Sequence, residues 1–163
     1  MDRTDTRFSA TRRLILQGAG AVAVIGLGNI PFVSGAFAAA NDKYPEEAFK
    51  AKTEADAIKA LYGKTAEASD KVKIDAPEIA ENGAVVPVSV TTTLPDVTSI
   101  SFLVSENPVV LVASYRIPAG TMPSVANRIK MAKTSNVTVV VEAGGKVYST
   151  TKEVKVTVGG CGG

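Results

Sequence analysis

The residue of this chain best suited to chemistry is Cys161, its only cysteine. Two glycines stand on each side of it, in the sequence Gly159-Gly160-Cys161-Gly162-Gly163. Because glycine has no Cβ and restricts the backbone little, these five residues predict a thin, flexible arm. Fully extended, the arm reaches on the order of 17 Å, at roughly 3.3 Å per residue. One cysteine cannot form an internal disulfide, so its thiol is predicted to react with a substrate or with another chain.

The composition excludes several kinds of catalytic site. The 163 residues include no histidine and no tryptophan. A Ser-His-Asp or Cys-His arrangement is therefore impossible within the chain, and no zinc, copper or haem site is expected. No cation lies near Cys161 in the sequence to favour its thiolate. We expect no metal, no cofactor and no enzymatic activity of its own, only a thiol that other proteins activate.

Residues 1–38 are predicted to be a twin-arginine signal peptide. Arg12 and Arg13 precede an apolar run rich in glycine and alanine, and Ala36-Phe37-Ala38 fits the small-x-small rule for cleavage. The glycines within the run argue against a permanent membrane helix. We therefore expect a periplasmic protein that begins near Ala39 and has no membrane attachment after cleavage.

The charge of the remaining chain is balanced. Without the four arginines and two aspartates of residues 1–38, 14 basic and 14 acidic residues are left. No basic patch with interleaved aromatic residues predicts nucleic-acid binding. Arg128, Lys130 and Lys133 form either a basic face that attracts anions or, as is commoner, the solvated side of a strand.

Residues 39–70 are predicted to form a helical lead-in that packs on the domain. Pro45 suits the start of a first helix. Thr53 with Asp56 resembles a capping box and predicts a second helical start, and Gly63 predicts its end. The apolar face of this second helix consists of Ile58, Leu61 and Tyr62.

Residues 71–158 are predicted to form an immunoglobulin-like antiparallel β-sandwich, so the fold class is mainly β. About seven short strands alternate with turn residues, which is typical of such sandwiches. Pro87 predicts an edge strand or a bulge, and residues 143–146 predict a hairpin turn. The predicted strands are 71–74, 85–93, 99–104, 109–117, 124–133, 136–142 and 147–158.

The final predicted strand leads directly into the arm. Val154, Val156 and Val158 alternate with polar residues, which predicts one buried face and one wet face. Such a strand would anchor the root of the arm, residues 159–163, in the sheet. The sequence thus predicts a rigid domain that carries a thin extension with a thiol.

These features together resemble the SoxY family of sulfur-carrier subunits in periplasmic thiosulfate oxidation. The resemblance covers essentially the whole predicted mature chain and is most specific in the glycine-flanked Cys161. The other similar stretches are residues 76–83, 128–135 and 152–158.

The resemblance implies a non-catalytic carrier that holds sulfur intermediates covalently on Cys161. It implies that a SoxXA-like cytochrome pair joins thiosulfate to the thiol and that a SoxB-like hydrolase releases sulfate, leaving a persulfide. A SoxCD-like dehydrogenase, where present, would oxidise the outer sulfur, and hydrolysis would return the thiol. The resemblance also implies a heterodimer with a small SoxZ-like subunit.

A second interpretation stays open. The chain could be an exported β-sandwich interaction protein whose Cys161 forms an intermolecular disulfide. A stable, stoichiometric cross-link on non-reducing electrophoresis of active material would favour this interpretation. A free or sulfur-modified thiol would favour the carrier.

Overall fold

The computed structural model describes residues 44–158, which form two short helices and nine strands. The predicted signal peptide, residues 1–38, and the predicted arm, residues 159–163, lie outside the described residues, so both stay predictions. The helices are α1 (Glu46–Lys50) and α2 (Glu54–Tyr62). The strands are β1 (Glu67–Ala68), β2 (Val72–Asp75), β3 (Ile79–Ala80), β4 (Val86–Thr92), β5 (Val97–Val104), β6 (Leu111–Arg116), β7 (Ser124–Ile129), β8 (Ser135–Ala143) and β9 (Lys146–Val156).

The strands form two sheets. The larger has the order β1-β9-β8-β5-β6, with β3 also pairing with β9, and the smaller has the order β2-β4-β7. The longer strands all pair antiparallel, which confirms the predicted sandwich. The two-residue strands β1 and β3 run parallel to β9. The sequence did not predict these two because a pair of residues is too short to show alternation.

Alternating apolar side chains from both sheets fill the space between them. In β4 the buried positions are Val86, Val88 and Val90. They belong to one buried cluster with Phe102 of β5 and Val139 of β8. The period of two that predicted these strands is therefore the period at which their side chains enter the core.

Helices α1 and α2 pack on the outer face of the larger sheet. Ala48 and Ala57 are fully buried there, in a cluster that includes Leu103. Strand β8 is consequently covered on both faces, and the valines at 139–141 are all inaccessible to solvent. A continuous apolar run is what a strand between two layers requires.

Both ends of α2 are confirmed as predicted. The N–H of Asp56 donates to Thr53 Oγ1 at 3.1 Å, and the Thr53 hydroxyl donates to the Asp56 carboxylate at 2.7 Å. At the other end, the N–H of Gly63 donates to the carbonyl of Lys59 at 2.8 Å. Gly63 has a φ of 65°, a left-handed conformation that glycine adopts without steric cost.

The hairpin between β8 and β9 is also confirmed. Gly144 and Gly145 have φ values of 56° and 74°. Two successive residues in this region form the type I′ turn that matches the twist of antiparallel strands. The turn sets the register, in which Ala143 is opposite Lys146.

Pro87 does not lie on an edge strand, so that part of the prediction is wrong. Strand β4 is the middle strand of the smaller sheet. However, β7 pairs with β4 from Val86 onward, whereas β2 pairs with β4 only from Ser89 onward. Pro87 therefore lies where β4 has a single neighbour, and a residue without an N–H is tolerated there.

The predicted strand 124–133 is shorter than expected and ends at Ile129. The segment that follows is held by a side chain instead of by a neighbouring strand. Asn107 donates from Nδ2 to the carbonyl of Lys130 at 2.7 Å and accepts the N–H of Ala132 at 2.9 Å. A long-range contact of this kind leaves no periodic pattern in the sequence.

Candidate functional site

The structure shows how the sandwich delivers the chain to the predicted arm. Cys161 and its flanking glycines follow Val158, the last described residue. The part of the candidate site within the described residues is its root, which consists of the end of β9 and of the segments that contact it. We refer to residues 154–158 with these contacts as the arm root.

Strand β9 is fixed along most of its length by β8. The two strands pair at nine positions, from Ala143 opposite Lys146 to Ser135 opposite Val154. Val154 is fully buried in the core of the sandwich. The strand that enters the arm root is therefore held both by its backbone and by its side chains.

On the other side of β9, the segment around β3 continues the backbone pairing beyond the end of the strand. The N–H groups of Lys155 and Thr157 donate to carbonyls at Glu78 and Ala80, at 2.9 and 3.1 Å. The N–H of Gly83 then donates to the carbonyl of Val158 at 2.8 Å. Backbone hydrogen bonds thus hold the chain as far as the third residue before Cys161.

A side chain holds the opposite edge of the arm root. The N–H of Val156 donates to Thr134 Oγ1 at 2.9 Å. Thr134 comes from the segment between β7 and β8, where strand pairing has not yet begun. The hydroxyl therefore takes the place of the next strand residue and satisfies an N–H at the end of the sheet.

Burial decreases along the arm root, which corrects the predicted buried face. Val154 is 0% exposed and Val156 is half-buried, but Val158 is 64% exposed. Strand β8 begins at Ser135, opposite Val154, so Val158 extends past the end of the sheet. The alternation of apolar and polar residues in the sequence continues to Val158, four residues beyond the last residue of β9 that pairs with β8.

The three basic residues singled out in the sequence are exposed side chains. Lys133 forms an ion pair with Glu106, with an N–O distance of 2.7 Å. Arg128 lies on the exposed face of β7, and Lys130 is exposed in the segment after it. This arrangement favours the solvated strand face over an anion-binding face.

A cleft that the sequence analysis did not predict, lined by both polar and apolar residues, lies between the helices and strands β5 and β6. It encloses about 820 Å³. The Tyr62 hydroxyl lies 2.7 Å from Ser101 Oγ and accepts from Ser99 Oγ at 3.2 Å, and Ser101 also donates to Ser114 at 2.9 Å. In the sequence, two serines spaced two residues apart, Ser99 and Ser101, indicated that the outer face of β5 is polar at this point.

The cleft and the arm root lie at opposite ends of the larger sheet. Glu142 in the cleft wall is opposite Val147 of β9, nine residues before Val156. At roughly 3.3 Å per strand residue, the two regions are about 30 Å apart. The predicted arm of about 17 Å is shorter than this distance, so the cleft is not counted as part of the candidate site.

Among residues 44–158, no group of three or more His, Cys, Asp or Glu side chains is placed to hold a metal ion. Within the same residues, neither helix has the length and apolar character needed to cross a membrane.

The fold and the arm root define a small immunoglobulin-like β-sandwich whose last strand ends at Val156, five residues before the lone cysteine in the sequence. A family model described as "Sulfur oxidation protein SoxY" matches residues 58–161, a range that reaches Cys161. The chain therefore belongs to the SoxY family, and its role is that of a sulfur carrier in sulfur oxidation.

A solved structure agrees with this assignment. The sulfur carrier protein SoxY from Chlorobium limicola f thiosulfatophilum is 48% identical, with a TM-score of 0.58. The match covers 63% of this chain and 94% of that one. No curated protein sequence matches the chain.

A more distant structure shares the fold alone. The superoxide reductase (neelaredoxin) from Ignicoccus hospitalis is 19% identical, with a TM-score of 0.50 over 58% of this chain and 98% of that one.

Proposed function

We propose that the chain is a periplasmic carrier of thiosulfate oxidation that holds sulfur intermediates covalently on Cys161. One observation carries this proposal: the SoxY match reaches Cys161, and within residues 44–158 backbone hydrogen bonds hold the chain as far as Val158, the third residue before it. A fixed root three residues before the thiol, followed by glycines, suits the delivery of Cys161 into narrow active sites. Covalent attachment keeps reactive sulfur from being lost between successive enzymes.

The proposed cycle begins at the thiolate of Cys161. It joins the outer sulfur of thiosulfate and gives up two electrons to a SoxXA-like cytochrome pair, which yields Cys161–S–S–SO₃⁻. A SoxB-like hydrolase adds water to the sulfonate and releases sulfate and two protons, which leaves the persulfide Cys161–S–S⁻. Where a SoxCD-like dehydrogenase is present, it oxidises the outer sulfur to a sulfonate, taking oxygen from three water molecules and withdrawing six electrons. A second hydrolysis of this sulfonate then releases sulfate and restores the thiol.

In this proposal the chain is a substrate of its partners and not an enzyme. A sequence without histidine lacks the usual acid–base residue near neutral pH, so the partners supply that chemistry. The chain forms a heterodimer with a SoxZ-like subunit. Residues 1–38 direct it to the periplasm by the twin-arginine route, which carries folded cargo.

Intact-mass measurement tests the proposal. After incubation with thiosulfate and the partner enzymes, the wild-type chain should carry a sulfur adduct on the peptide that contains Cys161, and a thiol reductant should remove it. Cys161→Ser should form no adduct and should lose thiosulfate-dependent turnover completely, because the hydroxyl cannot form the S–S bond.

Wild-type protein incubated without thiosulfate is the control for adventitious oxidation. Normal turnover by Cys161→Ser would refute covalent carriage on this residue.

A further inference from the structure

An asparagine followed by a glycine lies beside the arm root. Asn82 is exposed and precedes Gly83, and the sequence contains no other asparagine–glycine pair. In such a pair the peptide nitrogen of the glycine can attack the side-chain amide of the asparagine, because glycine has no Cβ to obstruct the five-membered ring that forms. The attack expels ammonia, and water then opens the ring. The pair is therefore chemically suited to spontaneous deamidation.

The other asparagines in the described part of the chain are poorly suited to this reaction. Asn107 precedes Pro108, whose nitrogen carries no proton to lose. Asn127 and Asn136 precede an arginine and a valine, whose side chains crowd the ring. These two asparagines also lie within β7 and β8, where the backbone is paired. Asn82 is thus the asparagine most open to deamidation.

In the closed arm root, hydrogen bonds hold the reacting groups of this pair. The N–H of Gly83 donates to the carbonyl of Val158 at 2.8 Å, and Asn82 Oδ1 accepts the N–H of Ala84 at 2.8 Å. A peptide nitrogen attacks only after it loses its proton, and a facing carbonyl oxygen disfavours the negative charge that then remains on the nitrogen. The reaction therefore proceeds from the conformers in which Gly83 and Val158 have separated.

The reaction changes the backbone at a point where it is held on both sides. Gly83 is buried and, besides donating to Val158, accepts the N–H of Met131 at 2.7 Å. Opening of the ring at one carbonyl yields aspartate. Opening at the other yields isoaspartate, in which the main chain runs through the side-chain carbons and is longer by one methylene. This methylene displaces Gly83, so its bonds to Val158 and Met131 are not both kept.

From these observations we propose that Asn82 is a site of spontaneous deamidation at the base of the arm root. Separation of Gly83 from Val158 governs the rate of the reaction, and the isoaspartyl product keeps the arm root open. The net reaction replaces the side-chain amide by a carboxylate, consumes one water molecule and releases ammonium. It requires no oxidant and no enzyme.

The modification alters how the chain leaves the sandwich. Once the bond to Val158 is lost, the bond from the N–H of Thr157 to the carbonyl of Ala80 is the last backbone bond of the arm root within the described residues. The segment that precedes Cys161 is then held one residue earlier in the chain. This inference concerns the arm root itself and does not depend on which reaction takes place at Cys161.

Peptide mapping of the purified protein tests the site. The protein is incubated in mildly alkaline buffer below its unfolding temperature, and aspartate and isoaspartate are then quantified at each asparagine. Both products should accumulate at Asn82 and remain minor at Asn107, Asn127 and Asn136. Comparable accumulation at those three positions, or none at Asn82, would show that the pair is not a preferred site.

Thr157 offers matched variants for the control that the arm root exerts. Its hydroxyl donates to the carbonyl of Glu81 at 3.1 Å, next to the reacting asparagine. Thr157→Val keeps the shape of the side chain but removes this bond, so deamidation should become about threefold faster. Thr157→Ser keeps the hydroxyl and should react at the wild-type rate. Equal rates for the wild type and Thr157→Val, or for the folded and the denatured wild type, would overturn this control.

Hydrogen exchange on the modified protein tests the effect of the product. In the isoaspartyl form, isolated by chromatography, the Gly83 amide should exchange with solvent about fivefold faster than in the wild type, because its acceptor has been lost. Asn82→Asp adds the same charge without the extra methylene and should exchange at the wild-type rate. Equal exchange in the isoaspartyl form and in Asn82→Asp would show that the product does not open the arm root.

Discussion

At the residue scale, burial changes the acidity of Tyr62. Removal from water raises the pKa of its hydroxyl, because a phenolate is poorly stabilised beneath α2. Hydrogen bonds with Ser101 and Ser99 oppose this effect but are smaller, and the negative charge of Glu142 adds to it. Sequence analysis placed Tyr62 on the apolar face of α2 but could not foresee this network, because Ser99 and Ser101 are 37 and 39 residues away.

The raised pKa of Tyr62 predicts a loss of stability at alkaline pH. The unfolded chain ionises this tyrosine near its ordinary pKa of about 10, and the folded chain ionises it at a higher pH. Its contribution is therefore fully present below about pH 10 and is lost as the pH rises through the folded-state pKa. In denaturant titrations from about pH 9 to about pH 11, the free energy of unfolding should fall more steeply for the wild type than for Tyr62→Phe.

Tyr44→Phe is the control for this experiment. Tyr44 is 59% exposed, so this variant removes the same hydroxyl group from the surface of the domain and measures the general effect of a Tyr→Phe change. Parallel curves for the wild type and Tyr62→Phe would show that burial of Tyr62 is not linked to folding.

At the scale of elements, the sequence predicted those strands, turns and helix ends that hydrophobic alternation and turn residues determine. The long strands, the Gly144–Gly145 turn and both ends of α2 follow from local patterns and are confirmed. The position of Pro87 and the exposure of Val158 could not be predicted, because each depends on where a neighbouring strand ends. The sequence predicted the last strand that leads towards residues 159–163, whereas the pairing of its end with β3 was missed because that strand is too short to detect.

The end of β9 should depend on the Thr134 hydroxyl. Thr134→Val keeps the shape of the side chain but leaves the N–H of Val156 without its acceptor. We expect the local stability of the arm root to fall by about 1 kcal/mol and the Val156 amide to exchange with solvent about fivefold faster. Hydrogen-exchange measurements on the folded protein would detect this change.

Thr134→Ser keeps the hydroxyl and should exchange at the wild-type rate. Equal exchange in Thr134→Val and the wild type would mean that the bond to Thr134 does not hold the arm root.

At the scale of the whole molecule, the sandwich holds the arm root firmly and at the opposite end of the larger sheet from the cleft. Strand β9 lies between β8 on one side and β1 and β3 on the other, so its course is fixed by both neighbours. The cleft lies at the far end of the same sheet. A partner bound at the cleft would therefore leave the arm root uncovered.

The glycines beside Cys161 should matter for turnover and not for folding. Under the proposed function, Gly160→Val and Gly162→Val add branched side chains next to the thiol that would hinder its entry into a narrow active site. We expect each to lower thiosulfate-dependent turnover about tenfold or more, because small misplacements of a reacting group are costly. The thermal denaturation of both variants should match that of the wild type. If both variants turned over at the wild-type rate, a thin arm would not be required.

The position of β9 also governs when the protein can first fold. This strand completes the larger sheet, yet the ribosome makes it after every other strand described here. Val154 supplies part of the central core, so a nascent chain that stops short of it lacks both a core residue and the template for β1 and β3. Translation has then nearly reached Cys161, and an incompletely synthesised chain is left without either a finished domain or a thiol to present.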